Sequence, residues 1–253
     1  MHVPQPAVQE KHRIAWRRTF AAAMLAAAAW VAFHAAAADE SSSRRFDDAA
    51  RWAAVFDDPA RDEWQHPQDI IRGLELTPDA IVADIGAGTG YFSARLAQAL
   101  PRGKVYAADI EPAMVDHLRD RFAAAGVSNV VAIQASRDSP NLPEPVDAVL
   151  LVNVQSLVAN PGDYFVRLKS RLKPGARVAI VSTRPDAERG AIKSMRRPPE
   201  HVKREMARQG YVLYAEHDFL THQYFLVFSI DGNAPGALST DRRPTDPRSP
   251  STK

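Results

Sequence analysis

The sequence predicts an α/β domain in which helices cover both faces of a mostly parallel sheet with an antiparallel last strand. Three observations lead to this fold class. Short apolar runs alternate with helical patterns between residues 81 and 181, which is typical of βαβ units. A glycine-rich loop directly follows the first run. Two closing apolar runs, residues 211–217 and 222–229, have a four-residue connection, which is short enough only for antiparallel strands.

The elements follow from the spacing of apolar residues. Two helices are expected before the sheet, over residues 47–58 and 69–76, because apolar side chains recur there at helical intervals. Five strands come next and bring the sheet to seven: residues 81–84, 104–109, 129–134, 146–153 and 177–181. Further helices are expected over residues 162–172 and 199–209.

The first 38 residues have the pattern of an export signal. Four basic residues precede residues 19–38, which contain no Lys, Arg, Asp or Glu and are mostly alanine. The stretch ends in Ala36-x-Ala38, so we expect cleavage before Asp39 and a periplasmic or secreted protein that meets the membrane only in transit. The alternative is a membrane anchor over residues 19–38, which we disfavour because alanine inserts weakly.

The export route stays open at this stage. Arg17-Arg18-Thr19-Phe20 resembles the twin-arginine signal, a receptor-read address that exports folded proteins. The same arginines would also serve as the basic region of an ordinary secretory signal. The chain has no cysteine, so disulfides give no information about the compartment.

Composition defines the ends of the domain and limits its partners. We expect a flexible leader over residues 39–46, the folded domain over residues 47–230 and a disordered tail over residues 231–253, which has few apolar side chains. Removing residues 1–38 takes four bases and one acid from 32 Lys and Arg and 30 Asp and Glu, which leaves a net charge near −1. Such a charge gives no reason to expect a nucleic-acid partner.

The glycine-rich loop predicts a bound cofactor. Glycine stands at positions 86, 88 and 90, where a strand ends and a ligand can approach the main chain closely. A dinucleotide site would require its third glycine at position 91, which is Tyr91. Asp84 stands two residues before Gly86, and its charge favours a ligand with a positive centre over a phosphate.

This loop resembles the first motif of the class I S-adenosylmethionine-dependent methyltransferases, Asp/Glu-x-Gly-x-Gly-x-Gly, in Asp84, Gly86, Gly88 and Gly90. The resemblance implies a Rossmann-like fold and S-adenosyl-L-methionine as cofactor. It extends to the second strand, which ends in Asp109 and is followed by Ile110. In the family, an acid at this position accepts hydrogen bonds from both ribose hydroxyls, and its neighbour also lines the cofactor site.

Other segments extend the resemblance over roughly residues 56–228. Asp138, before Leu142-Pro143, resembles the acid that contacts the adenine, although counting forward from the third strand selects Ser136 instead. Asn153 ends the fourth strand at its ligand-facing end. Residues 172–175 match the turn before the family's fifth strand. Each acid also has a simpler interpretation as an ordinary strand-end or turn residue.

The segment Phe56 to Pro67 resembles the leading segment of one bacterial branch of these methyltransferases, many of which begin with signals. Arg61, Trp64 and Gln65 are therefore candidates for lining the pocket, or alternatively for packing a helix on the sheet. A small methyl acceptor is expected between this segment, residues 153–159 and residues 184–199, which precede the core or follow strand ends.

The sequence names no catalytic residue and no metal ligands. The absence of cysteine excludes cytosine C5 methylation through a thiolate, and Val154-Gln155-Ser156 after Asn153 lacks the Asn/Asp-Pro-Pro-Tyr signature of base-amine methylation. Two functions remain. One is an exported methyltransferase that acts on a small molecule; the other is a non-catalytic binding or scaffold protein that keeps the adenosylmethionine fold. Intact motif residues favour the first, whereas export away from the cofactor's cytoplasmic supply favours the second.

Overall fold

The computed structural model describes residues 48–231. The predicted signal, the leader and all of the tail except Asp231 lie outside the described residues, so the predictions about them stay predictions. Within the described part, no helix has the length and the apolar character needed to cross a bilayer.

Seven strands form one sheet in the order β3-β2-β1-β4-β5-β7-β6. The strands are β1 (Ile81–Ile85), β2 (Lys104–Asp109), β3 (Val130–Gln134), β4 (Val146–Val152), β5 (Leu172–Thr183), β6 (Val212–His217) and β7 (Gln223–Ser229). Neighbouring strands from β3 to β5 pair in parallel, while β7 pairs antiparallel with both β5 and β6. The predicted mostly parallel sheet with an antiparallel last strand is therefore confirmed.

Seven α-helices flank the sheet in the described residues. They are α1 (Ala49–Phe56), α2 (Arg61–Gln65), α3 (Pro67–Arg72), α4 (Tyr91–Ala99), α5 (Pro112–Ala124), α6 (Pro161–Lys169) and α7 (Pro199–Arg208). Four of them begin with proline, which has the right φ for a first turn and lacks the N–H group that would be unpaired there. Asp48 caps α1 by accepting a hydrogen bond from the backbone N–H of Arg51 at 3.0 Å.

The core lies in two layers, one on each face of the sheet. Apolar residues of α6 and α7 pack on one face, and those of α3, α4 and α5 pack on the other, which gives the predicted three-layer arrangement. The central strands are buried on both faces, and every residue of β7 is buried. This burial explains why β4, β5 and β7 read as almost continuous apolar runs.

The largest difference from the sequence analysis is at the start of β5. The helix expected over residues 162–172 ends at Lys169, and the expected turn over residues 172–175 belongs to the strand. Leu172 pairs with Val146, and pairing resumes only at Arg177 with Ala148, so the residues between them form an irregularity. Gly175 provides the positive φ of +76° at this bend.

Candidate functional site

The loop after β1, residues 86–90, takes a conformation that favours glycine at three positions. Gly86, Gly88 and Gly90 have φ values of +72°, +55° and +91°. A Cβ atom on Gly86 would lie 2.3 Å from a methyl carbon of Val154, so the chain after β4 lies directly against this glycine loop. The carbonyl of Ala108 holds the loop by accepting hydrogen bonds from the N–H groups of Gly86 and Ala87, at 2.7 and 3.1 Å.

Asp84 is a buried carboxylate beneath the glycine loop. Its exposure is 3%, and one of its oxygens accepts a hydrogen bond from the Ser93 hydroxyl at 2.6 Å. Burial raises the pKa of Asp84 to about 6, and the negative charge of Asp109 adds to the rise, against the effect of Ser93. A cation beside Asp84 would offset this cost. Ser93, in the first turn of α4, is a site residue that the sequence analysis missed.

Asp109 faces the same loop from the end of β2. Its two oxygens accept hydrogen bonds from the backbone N–H groups of Gly88 at 2.8 Å and Glu111 at 3.0 Å. Burial raises the pKa of Asp109, although these N–H groups oppose the rise. Ile110 beside it is 45% exposed, an unusual state for an isoleucine and one that suits a surface for an apolar ring. The structure thus brings Asp84, Asp109 and the three glycines together.

The two candidates for adenine recognition lie in the turn between β3 and β4. The Asp138 carboxylate is 3.4 Å from the guanidinium of Arg167 on α6, and the side chains are 66% and 50% exposed. Ser136 bonds within the turn, where its N–H donates to the carbonyl of Ser139 at 2.8 Å. The structure brings neither side chain into a hydrogen bond with the glycine loop, so adenine contact by Asp138 or Ser136 stays a prediction.

Asn153 belongs to a buried chain of amides. Its side-chain oxygen accepts hydrogen bonds from the N–H and hydroxyl of Thr183, both at 3.0 Å, and from Gln223 at 3.3 Å. Gln223 in turn accepts a hydrogen bond from Gln65 at 3.0 Å. Gln65 and Gln223 are both fully buried. This buried amide chain (Gln65, Gln223 and Asn153) joins α2, β7 and the end of β4.

The buried amide chain bears on the predicted role of Asn153 in cofactor binding. Asn153 was expected at the ligand-facing end of the fourth strand, but its side-chain oxygen is bound to donors of the protein, so the contacts seen here are structural. Its role in cofactor binding stays a prediction. The sequence analysis missed Gln223 and Thr183, although a glutamine at the start of an apolar strand was a signal that something polar lay opposite it.

The segment before the sheet covers the glycine loop. The Phe56 ring lies 3.3 Å from where a Cβ of Gly88 would stand. Asp57 accepts hydrogen bonds from the Thr89 hydroxyl at 3.1 Å and from Arg121 of α5 at 2.8 Å. We call residues 49–65, which comprise α1 and α2, the N-terminal cover.

The second half of the N-terminal cover is held by charge and aromatic contacts. The guanidinium of Arg61 lies 3.9 Å from the centre of the Tyr91 ring and donates to Gln65 at 2.7 and 3.0 Å. Asp62 accepts hydrogen bonds from the Tyr91 hydroxyl and, at 2.7 Å, from Arg95. Trp64 contacts the His222 ring edge-on, with centroids 6.3 Å apart. The contacts of Arg61 and Gln65 thus pack a helix beside the loop, and their role in lining the pocket stays a prediction.

No group of three or more His, Cys, Asp or Glu side chains within residues 48–231 is arranged to hold a metal ion. The site instead has two buried carboxylates, a glycine loop whose backbone a ligand can contact closely, and the Phe56 ring over that loop. Such a site suits a ligand with one positive end, vicinal hydroxyls and a flat apolar ring.

Comparison with known proteins agrees with this geometry. Residues 83–178 match the family described as "Methyltransferase domain". A protein-L-isoaspartate O-methyltransferase of Aeropyrum pernix is 30% identical over 120 residues, which are 47% of this chain and 45% of that protein. The chain spans less than half the length of the curated relatives that it matches first.

Solved structures share the fold at lower identity. A SAM dependent methyltransferase from Aquifex aeolicus has a TM-score of 0.67 at 22% identity, and the match covers 72% of this chain and 98% of that one. The 4+2 cyclase SpnF has a TM-score of 0.55 at 13% identity, with coverage of 65% and 78%. The family match includes the glycine loop and both carboxylates and, with the methyltransferases among the relatives, supports a class I S-adenosylmethionine-dependent methyltransferase. The solved structures show that the chain has the fold of that class.

Proposed function

We propose that this protein is an exported enzyme that transfers the methyl group of S-adenosylmethionine to a small-molecule acceptor. The observation that carries the proposal is the position of two buried carboxylates, Asp84 and Asp109, on either side of a three-glycine loop. Asp84 would hold the positively charged methionine end of the cofactor. Asp109 would accept hydrogen bonds from the ribose hydroxyls, because a carboxylate has two acceptor oxygens.

The chemistry needs positioning more than acid or base strength. The bond between sulfur and the methyl carbon breaks as the bond from the acceptor atom to that carbon forms. The electron pair of the broken bond stays on sulfur, which leaves S-adenosylhomocysteine, and a proton carried by the acceptor atom is released to solvent. Because the sulfonium is already a good leaving group, the protein mainly has to align the acceptor and exclude water.

The enclosure of the site supports a small acceptor. The N-terminal cover lies over one side of the glycine loop, and Val154 lies against Gly86 on another. The connection over residues 184–198 is fixed beside them, since the N–H of Ala191 donates to the Thr183 hydroxyl at 2.9 Å. Arg196 holds the same connection through the carbonyls of Ala187 and Ala191, at 2.6 and 2.7 Å. A site enclosed from several sides suits a small molecule better than a polymer.

Export is the part of the proposal that rests on sequence alone. The basic, apolar and Ala-x-Ala pattern of residues 1–38 supports it. Since S-adenosylmethionine is made in the cytoplasm, an exported enzyme needs a supply. Export in the folded state through the twin-arginine route would allow the protein to carry bound cofactor with it.

The test of the proposal is cofactor binding by calorimetry. The full chain should bind S-adenosylmethionine and S-adenosylhomocysteine, and Asp84→Ala and Gly88→Val should each weaken binding at least 100-fold. The first variant removes the carboxylate, and the second places a branched side chain where the ligand meets backbone. Asp116→Ala serves as the matched control, because Asp116 forms an exposed ion pair with Arg119 on α5. Equal affinities in all four proteins would refute the proposed cofactor site.

A second candidate function is a non-catalytic binding protein. The observation in its favour is that this fold is not confined to methyl transfer, since a cyclase shares it. Mass spectrometry of small molecules that co-purify with the native protein separates the two functions. A methylated product beside S-adenosylhomocysteine would support the enzyme, whereas intact S-adenosylmethionine without any product would support the binding protein.

A further inference from the structure

Two polar atoms are buried without a partner near the carboxyl ends of β4 and β5. They are the side-chain oxygen of Gln155, a residue 4% exposed, and the hydroxyl of Tyr224, a residue with no exposed surface. Buried polar groups in proteins are nearly always hydrogen-bonded, because an unmade bond costs about 1–3 kcal/mol. Two such groups beside a cofactor loop therefore point to a ligand that would pair with them.

Both groups lie on the acceptor side of the site. Gln155 directly follows Val154, the residue that lies against Gly86. Tyr224 pairs across the sheet with Ser182, one residue before the end of β5. The Tyr224 ring belongs to the same apolar cluster as Val154 and the buried residues of α7, and Gln155 bonds to that helix. In sheets of this type, ligands bind outside the carboxyl ends of the parallel strands.

Glu205 of α7 fixes the orientation of Gln155. The Gln155 amide nitrogen donates a hydrogen bond to the Glu205 carboxylate. An ionised carboxylate can only accept, so it holds the NH2 group on its side and leaves the amide oxygen directed elsewhere. Glu205 is thus a positioning residue for Gln155.

Tyr224 keeps its proton and so can donate a hydrogen bond. Burial raises the pKa of Tyr224, and the Ser182 side chain only partly offsets this rise. No hydrogen bond to the Tyr224 hydroxyl meets ordinary geometric limits among the described residues. Nearby charges act on the pKa of Tyr224 in opposite directions: Arg184 and Arg197 lower it, and Glu205 raises it. The two guanidinium groups already donate to the carbonyls of Gln223 at 3.1 Å and Ser194 at 3.0 Å.

We infer that Gln155 and Tyr224 form a subsite for a neutral hydroxyl group of the methyl acceptor, an inference that rests on the proposed function. A hydroxyl can donate to the Gln155 oxygen and accept from Tyr224, which an ether, a carboxylate or an ammonium ion cannot do together. The apolar cluster around Tyr224 suits a mostly apolar body. The substrate class is therefore a neutral, largely apolar molecule that carries a hydroxyl group, of which a phenol is the simplest example.

The subsite is tested by calorimetric titration of the full chain, saturated with S-adenosylhomocysteine, with three small probes. Phenol should bind at least tenfold more tightly than anisole, which lacks the donor, and than benzoate, which carries a charge. Tyr224→Phe and Gln155→Met should each weaken phenol binding at least tenfold. Tyr224→Phe should change the melting temperature little, because that change removes a hydroxyl with no partner.

Ser229→Ala is the matched control. Ser229 also has a buried hydroxyl without a partner, but it stands at the opposite end of β7, roughly 17 Å from Tyr224. Its loss should leave phenol binding unchanged. If the full chain binds S-adenosylhomocysteine but not phenol, or if Tyr224→Phe and Ser229→Ala bind phenol equally, the subsite is refuted and the proposed function stands. If S-adenosylhomocysteine itself does not bind, the proposed function fails first.

Discussion

At the scale of single residues, burying the Asp84 carboxylate under the glycine loop lowers the stability of the fold when Asp84 is ionised. Its pKa of about 6 in the folded protein exceeds the ordinary value of 3.8. A raised pKa means that the folded state binds the proton more tightly, so the associated stability is present below pH 4 and is lost as the pH rises through 6. The difference corresponds to about 3 kcal/mol.

This cost leads to a prediction for Asp84→Asn. The variant should gain stability relative to the unchanged protein as the pH rises from 4 to 8, by up to about 3 kcal/mol, because it buries no charge. Cofactor binding by the unchanged protein should strengthen over the same pH range, since a cation prefers the ionised carboxylate. Urea unfolding and calorimetry at several pH values measure both effects. Asp116→Asn, at an exposed carboxylate outside the site, is the control; a parallel pH dependence in the two variants would contradict the assignment.

Part of the site could be predicted from individual residues, and part could not. Asp84, the three glycines and Asp109 were predictable because each stands at a strand end within a short, recognisable motif. Gln223 was not, because its partner Gln65 lies 158 residues away along the chain. Only the packing of α2 against the start of β7 brings them together, and nothing local in either sequence specifies that contact.

At the scale of elements, the N-terminal cover is the feature most directly linked to cofactor exchange. Asp57 fastens α1 to the glycine loop and to α5 through Thr89 and Arg121. These bonds are partly buried, since the Asp57 and Arg121 side chains are 27% and 31% exposed, but they involve only the edge of the domain. The cover can therefore be loosened without unfolding the domain.

Asp57→Asn should speed the release of S-adenosylhomocysteine about tenfold and increase hydrogen exchange over residues 49–57. The global melting temperature should change little, because the substitution removes one ion pair at the edge of the fold. Stopped-flow displacement and mass-spectrometric exchange provide the measurements. Asp116→Asn removes an equally simple pair on α5 and should change neither quantity. Unchanged release in Asp57→Asn would show that α1 does not cover the bound ligand.

Elements were more predictable than their ends. All seven strands follow from apolar runs, because each central strand is buried on both faces. The start of β5 was misjudged because Pro174 and Gly175 are residues typical of a turn, and only pairing with β4 extends the strand back to Leu172. Tertiary pairing here outweighed local preference.

At the scale of the whole molecule, export is the prediction with the widest consequence. The native protein should begin at Asp39 and occur in the periplasm or medium. Replacing Arg17 and Arg18 by lysine should block export only if the twin-arginine route is used, since that receptor reads the arginines themselves. Cell fractionation with N-terminal sequencing measures both. Full-length protein in the membrane would indicate an anchor instead, and full-length soluble protein in the cytoplasm would exclude export.

The buried amide chain also determines how small a working piece of this protein can be. The family match ends at residue 178, before Gln223, and begins at residue 83, after Gln65. A fragment cut to the matched region would lose β7 and the end of β5 after residue 178, so backbone N–H and C=O groups at the end of β4 would lose their partners and be open to pair with other molecules. It would also remove all three donors to the side-chain oxygen of Asn153, because Thr183 and Gln223 lie outside the match. Such a fragment should aggregate, so any minimal version for crystallisation or display has to keep both ends of the domain.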